Sequence, residues 1–268
     1  MTFNLNKDER YIFASDLDGT LLAPLSSLHI DTYEMIEKIK EAGHYFVITT
    51  GRSWWWTKTL YEQIGIVDAS IHFSGAIVHH PHDNKFEEFR SSLSQVVLKD
   101  FFEKMDIWSF ANRTTAVGRK YHATWSKGDD LNKLFFNCYE YIVNFSDDKM
   151  TSDEFIAKAT EVLGEGYVIR VWNLSEYGGG HSAIISPKNT NKAAGLEKVA
   201  EYYNVQRENV IYFGDNVNDI EALEWAGHSY AVANAKDVAK ESADEILELD
   251  NNTGAVPKKI IELINKAE

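Results

Sequence analysis

The sequence predicts an α/β fold, in which a Rossmann-like parallel sheet forms the core and an α+β domain is inserted into it. Three observations support this fold class. Short apolar runs alternate with helical patterns over roughly the first 80 residues, and the same alternation returns near the end of the chain. Between them, roughly 100 residues mix helices and strands with glycine-rich or polar joints. We therefore expect a core of residues 1–84 and 185–268 and a cap domain of residues 85–184.

The first α/β stretch begins with an apolar run that is typical of a buried strand. The predicted elements are, in order, a strand over 11–15, a helix over 29–43, a strand over 45–50, a helix over 53–65 and a strand–turn–strand over 70–78. The apolar face of the first helix is expected to comprise Ile30, Tyr33, Ile36 and Ile39. Gly43 and Gly65 are the expected ends of the two helices.

The second α/β stretch repeats this pattern, so both stretches are expected to contribute parallel βαβ units. Its predicted elements are a helix over 191–204, a strand over 210–215, a short helix over 219–227, a strand end over 230–235, a helical turn over 237–243, a strand over 245–249 and a helix over 254–268.

The intervening cap domain is predicted to contain helices over 94–105 and 152–164 and strands over 141–145 and 167–173. A glycine-rich joint follows at 175–182. It is either a flexible turn between strands or a loop that contacts a ligand through Tyr177 or His181.

Composition disfavours several classes of partner and location. The chain has 27 Lys and Arg against 41 Asp and Glu, a formal charge of −14, which disfavours binding to nucleic acid or an anionic membrane surface. Cys138 is the single cysteine, so an intrachain disulfide is impossible. No apolar run reaches the length of a membrane span, and the first residues lack an apolar signal-peptide core. We expect a cytoplasmic protein that is a monomer or a weak homodimer.

Two acidic residues end the first predicted strand, in the sequence DLDGTL at 16–21. Asp16 and Asp18 would lie on the same side of an extended chain, where like charges repel and raise each other's pKa. A proton shared between the carboxyl groups or a bound divalent cation would each relieve the repulsion. A solvated acidic loop is the simpler alternative.

A second acidic strand end favours the cation. The sequence GDNVND at 214–219 follows an apolar run, and Asp215 and Asp219 can meet if the segment turns into a helix. Several carboxylate oxygens around one point form the type of site that Mg²⁺ prefers. Two further features favour an anion: the TGR turn, with Thr50, Gly51 and Arg52, and Lys192 at the start of a helix.

These motifs, in this order, resemble the haloacid dehalogenase-like hydrolase superfamily. The position and size of the inserted domain resemble the C2B cap of its Cof-type subgroup, and the tail from Ala233 resembles that subgroup's ending. Many relatives have Asn-Gly-Ala where this chain has Ser74-Gly75-Ala76, and a glycine where it has the stretch 230–233.

The resemblance implies a division of chemical roles. Asp16 would attack the phosphoryl group to form an aspartyl-phosphate, and Asp18 would protonate the leaving oxygen and then activate water. Phosphoryl oxygens would be held by Thr50 and Lys192, with Asn218 as a further contact. Mg²⁺ would bind the Asp16 carboxylate, the Asp18 backbone carbonyl and Asp215, with Asp219 ligating directly or through water.

The implied function is a Mg²⁺-dependent phosphatase that acts on a small phosphorylated metabolite. A sugar phosphate is the first expectation for the substrate, and a phosphorylated cofactor or its precursor is the second. A phosphomutase and a non-catalytic binding module are the alternatives.

Two unusual local sequences have competing interpretations. Trp54, Trp55 and Trp56 cannot share one helical face, so they either pack in the core and between domains or offer one indole to a ligand. The sequence HHPHD at 79–83 is either a polar joint or a metal-binding tract.

Overall fold

The computed structural model describes residues 3–119, 122–129, 137–174 and 179–267. These residues form two compact units. The first contains the described residues up to Phe89 together with those from Asn191 onward, and the second contains those between Arg90 and Thr190. The first boundary falls inside the edge strand of the core sheet, between Phe89 and Arg90, and the second follows the last cap strand, which ends at Pro187.

The first unit is built on an eight-stranded sheet. Its strands are β1 (Ile12–Ser15), β4 (Tyr45–Thr49), β5 (Ser70–His72), β6 (Ile77–His79), β7 (Phe89–Arg90), β13 (Val210–Gly214), β14 (His228–Ala231) and β15 (Glu245–Ile246), and a separate hairpin comprises β2 (Leu22–Ala23) and β3 (Ser27–Leu28). The order is β15-β14-β13-β1-β4-β5-β6-β7. Strands β15 through β5 in this order pair in parallel, and β6 runs antiparallel to β5.

The helices of the first unit pack with its sheet to form one apolar core. They are α1 (Asp31–Glu41), α2 (Trp54–Ile64), α6 (Lys192–Tyr203), α7 (Ile220–Trp225), α8 (Asp237–Ser242) and α9 (Ala255–Ala267). The central strands β1 and β13 are buried along their whole length, as expected of a parallel sheet covered on both faces. Gly65 ends α2 in the left-handed conformation, as predicted.

The predicted apolar face of α1 was partly wrong. Thr32, Met35, Ile36 and Ile39 are the buried residues of this helix. Ile30 precedes the first helical residue and is 73% exposed, and Tyr33 is also exposed. The true face therefore starts at Thr32, whose small side chain packs where the sequence pattern had favoured larger ones.

The second unit has the α+β character that the sequence predicts. An antiparallel sheet of order β11-β12-β10-β8-β9 is formed by β8 (Ala111–Val117), β9 (His122–Ser126), β10 (Glu140–Phe145), β11 (Tyr167–Asn173) and β12 (His181–Pro187). Helices α3 (Gln95–Met105), α4 (Ile107–Phe110) and α5 (Ser152–Leu163) contribute to one apolar core with this sheet. The α/β class with an inserted α+β domain is thus confirmed.

The glycine-rich joint is only partly described. Tyr177, one of the two residues expected to reach a ligand, lies outside the described residues. His181 begins β12, is buried, and contacts Asp147 through Nε2 and the Ser152 hydroxyl through Nδ1 at 3.0 Å. These contacts tie the start of α5 to the sheet.

A search of the described helices finds none whose length and hydropathy would let it cross a bilayer.

Candidate active site

Three strand ends of the core sheet lie side by side. Asp16 follows β1, Thr50 follows β4 and Asp215 follows β13. Because β1 pairs in parallel with both β4 and β13, their carboxyl ends fall at the same edge of the sheet. This edge is where open α/β sheets place their ligands.

Lys192 connects the motifs. It is the first residue of α6 and is fully buried, and its Nζ lies 2.6 Å from Asp16 Oδ1 and 2.6 Å from Asp219 Oδ1. Burial alone would lower the pKa of this lysine, but the two carboxylates raise its pKa above the ordinary value. Lys192 is therefore a permanently charged group at the centre of the site.

Asp16 is in a strongly acidic environment. Burial raises the pKa of Asp16, and the neighbouring carboxylates of Asp219 and Asp215 raise it further, while Lys192 opposes the change. Its backbone N–H donates to the Phe213 carbonyl at 3.0 Å, which fixes the end of β1 against β13.

Asp215 is held by the turn that follows Asp16. The Thr20 hydroxyl donates to Asp215 Oδ1 at 2.8 Å. Gly19 has a φ of 84°, and a Cβ placed on it would lie 2.5 Å from Asp215 Oδ2. This position therefore requires glycine, both for its backbone conformation and for its close approach to the carboxylate. Burial, with the Asp219 charge, raises the pKa of Asp215 to about 6.

The donor set fits a divalent cation. Carboxylate oxygens of Asp16, Asp215 and Asp219 lie within 4.8 Å of one another. Lys192 forms ion pairs with Asp16 and Asp219, and three ionised carboxylates would exceed its single charge by two. A hard cation such as Mg²⁺ would offset this excess with oxygen ligands alone.

Asp18 has a different environment from Asp16. Its side chain is 57% exposed, and it accepts a hydrogen bond at 2.8 Å from Arg52 Nε and a second from Arg52 Nη2. Arg52 Nη2 also donates to the Ser26 hydroxyl at 2.9 Å. Arg52, which the sequence places among the phosphate-binding residues, is thus paired with Asp18 in the structure.

A second turn, Phe73–Gly75, is hydrogen-bonded to the TGR turn. The Ser74 N–H donates to the Thr50 carbonyl at 3.0 Å. Phe73 and Ser74 both have positive φ, and a Cβ on Gly75 would lie 2.1 Å from the Asn191 carbonyl oxygen. The turn Phe73–Gly75 therefore touches both the Thr50 loop and the residue before Lys192.

Thr50 and the remaining predicted residues lie around this centre. Thr50 is buried, and its hydroxyl accepts a hydrogen bond at 3.1 Å from the Arg52 N–H. Gly51 lies beside the Ser74 hydroxyl, and Asn218 is half-buried in the 3-10 turn Val217–Asp219.

Two contacts of the site were missed from the sequence. Asn234 Nδ2 donates to the Gly19 carbonyl at 2.7 Å, and the Tyr212 hydroxyl donates to Asp219 Oδ1 at 2.6 Å. The only signal for Tyr212 is a phenol in an otherwise apolar run, two residues before Gly214.

The unusual tryptophan and histidine sequences lie outside the acidic cluster. Trp54 packs edge-on against Tyr61, His72 and His79, whereas Trp55 and Trp56 are exposed. Among the described residues, the acidic cluster is the group suited to an ion, and no histidine belongs to it. The interpretation of residues 79–83 as a polar joint stays a prediction.

Comparison with known proteins finds relatives in both sequence and fold. A sequence model described as haloacid dehalogenase-like hydrolase matches residues 13–260. The 5-amino-6-(5-phospho-D-ribitylamino)uracil phosphatase YitU of Bacillus subtilis is 29% identical, over 91% of this chain and 94% of its own. A second phosphatase of the same name from that organism, YcsE, is 26% identical, over 91% and 92%. Among solved structures, BT1666 of Bacteroides thetaiotaomicron, described among phosphatases of the haloalkanoate (HAD) enzyme superfamily, aligns over 95% of both chains with a TM-score of 0.78 and 18% identity.

Proposed function

This chain belongs to the haloacid dehalogenase-like hydrolase family, and we propose that it is a Mg²⁺-dependent phosphatase that works through an aspartyl-phosphate. The family predicted from the sequence is thereby confirmed. The enzyme class, a phosphoric monoester hydrolase acting on small phosphorylated molecules, agrees with the phosphatases that it resembles.

The observation that carries the proposal is the bridge from Asp16 through Lys192 to Asp219, beside a cluster suited to a cation. In the first half-reaction an Asp16 carboxylate oxygen forms a bond to phosphorus as the bond to the leaving alkoxide oxygen breaks. Lys192 is placed to stabilise the charge that develops on the phosphoryl oxygens, and Thr50, Gly51 and Asn218 offer donor groups around it.

Asp18 is the proposed acid and base. It gives a proton to the leaving oxygen, and in the second half-reaction it takes a proton from the water that attacks the aspartyl-phosphate. The products are an alcohol, inorganic phosphate and free Asp16. Arg52 holds the Asp18 carboxylate in the observed arrangement, so we propose that Arg52 orients this group, in addition to its expected contact with phosphate.

Asp16, Asp215, the Asp18 carbonyl and Asp219 are the groups proposed to hold Mg²⁺. The ion would supply the positive charge that allows an anionic carboxylate to approach an anionic phosphate. Its site would lie among the carboxylates of Asp16, Asp215 and Asp219, whose combined charge exceeds that of Lys192.

The substrate is proposed to be a small phosphorylated metabolite. Two relatives are named for a phosphorylated ribitylamino compound, which favours a phosphate ester of a polyol chain that carries a heterocycle. This ranks a cofactor precursor beside the sugar phosphates that the sequence suggested first.

The test is phosphate release by the purified protein, with and without Mg²⁺, from a generic aryl phosphate and from a panel of sugar and ribityl phosphates. We expect release that requires Mg²⁺ and is lost in Asp16→Asn. Absence of release from every compound would contradict the phosphatase proposal and leave a binding module. An isomerised sugar phosphate without free phosphate would instead indicate a phosphomutase.

A further inference from the structure

Tyr212 is a fully buried tyrosine that contacts the acidic cluster through Asp219. It lies on β13, and its hydroxyl is 2.6 Å from Asp219 Oδ1 and 3.1 Å from the Thr49 hydroxyl. The Asp219 carboxylate, which is paired with Lys192, can only accept hydrogen bonds. Tyr212 therefore gives its one proton to Asp219, and Thr49 donates to the Tyr212 oxygen.

Asp219 has four donors around its two oxygens. Oδ1 accepts from Lys192 Nζ and from the Tyr212 hydroxyl. Oδ2 accepts from the backbone N–H groups of Asp215 at 3.1 Å and Asn216 at 2.9 Å. A carboxylate has about four acceptor positions. All of them are used, although an Asp219 oxygen lies within 4.8 Å of oxygens of Asp16 and Asp215.

We propose that Tyr212 is a positioning residue that commits Asp219 to Lys192 and keeps Asp219 from ligating the cation directly. Asp16, Asp215 and the Asp18 carbonyl would then hold the ion directly, and Asp219 would act through an intervening water. This inference rests on the proposed function for the identity of the site. From the sequence, two alternatives remained for Asp219, direct ligation of Mg²⁺ and ligation through water. This inference selects the second.

Removal of the Tyr212 hydroxyl has two opposite consequences. One acceptor position on Asp219 Oδ1 becomes available to a cation, so the affinity for the ion increases. At the same time the Asp219 carboxylate loses a hydrogen bond that fixes it against Lys192, so turnover decreases. General loosening of the fold would weaken both properties together, and the opposite signs distinguish a positioning role from a structural one.

Tyr230 provides the matched control. It is a fully buried tyrosine on the neighbouring strand β14, and its ring stacks on Phe213. Its hydroxyl has no hydrogen-bond partner among the described residues. Tyr230→Phe therefore removes the same group from the same sheet without touching Asp219.

The experiment compares the wild-type protein, Tyr212→Phe and Tyr230→Phe. Binding of Mn²⁺ to the metal-free proteins is followed by electron paramagnetic resonance, and kcat and KM are measured with an aryl phosphate and saturating Mg²⁺. We expect Tyr212→Phe to bind Mn²⁺ about threefold more tightly or better and to lose about fivefold in kcat with little change in KM, as the loss of one hydrogen bond implies. Tyr230→Phe should match the wild type in both.

Unchanged or weaker Mn²⁺ binding in Tyr212→Phe, or the same change in Tyr230→Phe, would overturn the inference. If Tyr212→Phe does not fold, as judged by near-ultraviolet circular dichroism, Thr49→Val takes its place. It removes the donor to the Tyr212 oxygen and so weakens the hydrogen bond from Tyr212 to Asp219, and it should shift Mn²⁺ binding in the same direction by a smaller amount. A wild-type protein that binds Mn²⁺ but releases no phosphate would refute the proposed function, and the Mn²⁺ comparison would still decide the role of Tyr212.

Discussion

Lys192 is the residue on which the site depends. Its ammonium is completely removed from water and is shared by Asp16 and Asp219. Such an arrangement is stabilising only while all three charges are present, because each group was desolvated at a cost that the others offset.

Lys192→Met tests this dependence. The substitution leaves two buried carboxylates without their cation, so we expect a loss of about 3–5 kcal/mol in the free energy of unfolding at neutral pH. Loss of transition-state charge stabilisation should also reduce kcat by a factor on the order of 100 or more. Urea denaturation and phosphate release measure the two effects.

Lys198→Met, on the same helix, is the control because its ammonium lies over the ring of Phe89, 4.4 Å from the centroid, and remote from the acids. Equal stability of the two variants would show that the buried ion pairs contribute nothing net.

The Arg52–Asp18 pair contributes differently. With Asp18 more than half exposed, solvent screens the attraction, and such pairs add little to stability. Its importance therefore lies in where it holds the Asp18 carboxylate.

At the level of elements, the turn Phe73–Gly75 contacts both the TGR turn and the start of α6. Two consecutive residues with positive φ carry strain there, and strain of this type persists only where the surroundings enforce it. The turn contacts the segments that carry Thr50 and Lys192, two of the groups proposed to hold phosphoryl oxygens.

Gly75→Ala tests this element. Its φ is 102°, and the added methyl would lie 2.1 Å from the Asn191 carbonyl oxygen, so the start of α6 must move. We expect a loss of more than about 2 kcal/mol in unfolding free energy together with a fall in kcat. Denaturation and steady-state kinetics provide the readouts.

Gly43→Ala separates strain from contact. Gly43 has a φ of 73° with nothing within 4 Å of the added carbon, so only the backbone cost of about 1 kcal/mol is expected, with kcat unchanged. If Gly75→Ala behaves like Gly43→Ala, the close contact between Gly75 and the start of α6 is not required for activity.

The elements also show what the sequence could and could not predict. DLDGTL, TGR and GDNVND each place their polar residues directly after an apolar strand, so position and chemistry are both visible locally. Tyr212 instead looks like one more core residue in an apolar run, and its role depends on Asp219 and Thr49, which only the fold brings to it. The pairing of Arg52 with Asp18 and the contact of Gly75 with Asn191 likewise join segments far apart in the chain.

Across the whole molecule, buried ionisable groups couple stability to pH. His72 is fully buried between Ser70 and the Arg52 carbonyl. Burial lowers the pKa of His72 to about 3, with a further contribution from His79. Between pH 6.5 and 3 the unfolded chain therefore binds a proton that the folded chain does not.

The contribution of His72 to stability should accordingly decrease as pH falls through this window. From pH 6.5 to 5, His72 alone is expected to remove about 2 kcal/mol from the free energy of unfolding. In His72→Gln the free energy of unfolding should fall by about 2 kcal/mol less over this pH range. His82 is exposed, so His82→Gln should show the wild-type pH dependence. Urea denaturation at several pH values measures the slope, and identical slopes in His72→Gln and the wild type would contradict the assignment.

Substrate choice and assembly also belong to this scale. The cap is a compact unit with its own apolar core, and we propose that it supplies specificity. The expectation of a monomer or weak homodimer stays a prediction, which light scattering after size-exclusion chromatography can check.

The central claim is that Asp16 carries the phosphoryl group during turnover. The most direct measurement is acid quenching of the protein during hydrolysis of an aryl phosphate, followed by mass spectrometry of the peptide that contains residues 11–22. We predict a fraction of this peptide with one added phosphoryl group on Asp16, and none in Asp16→Asn. Phosphate release without this adduct, persisting in Asp16→Asn, would contradict the account.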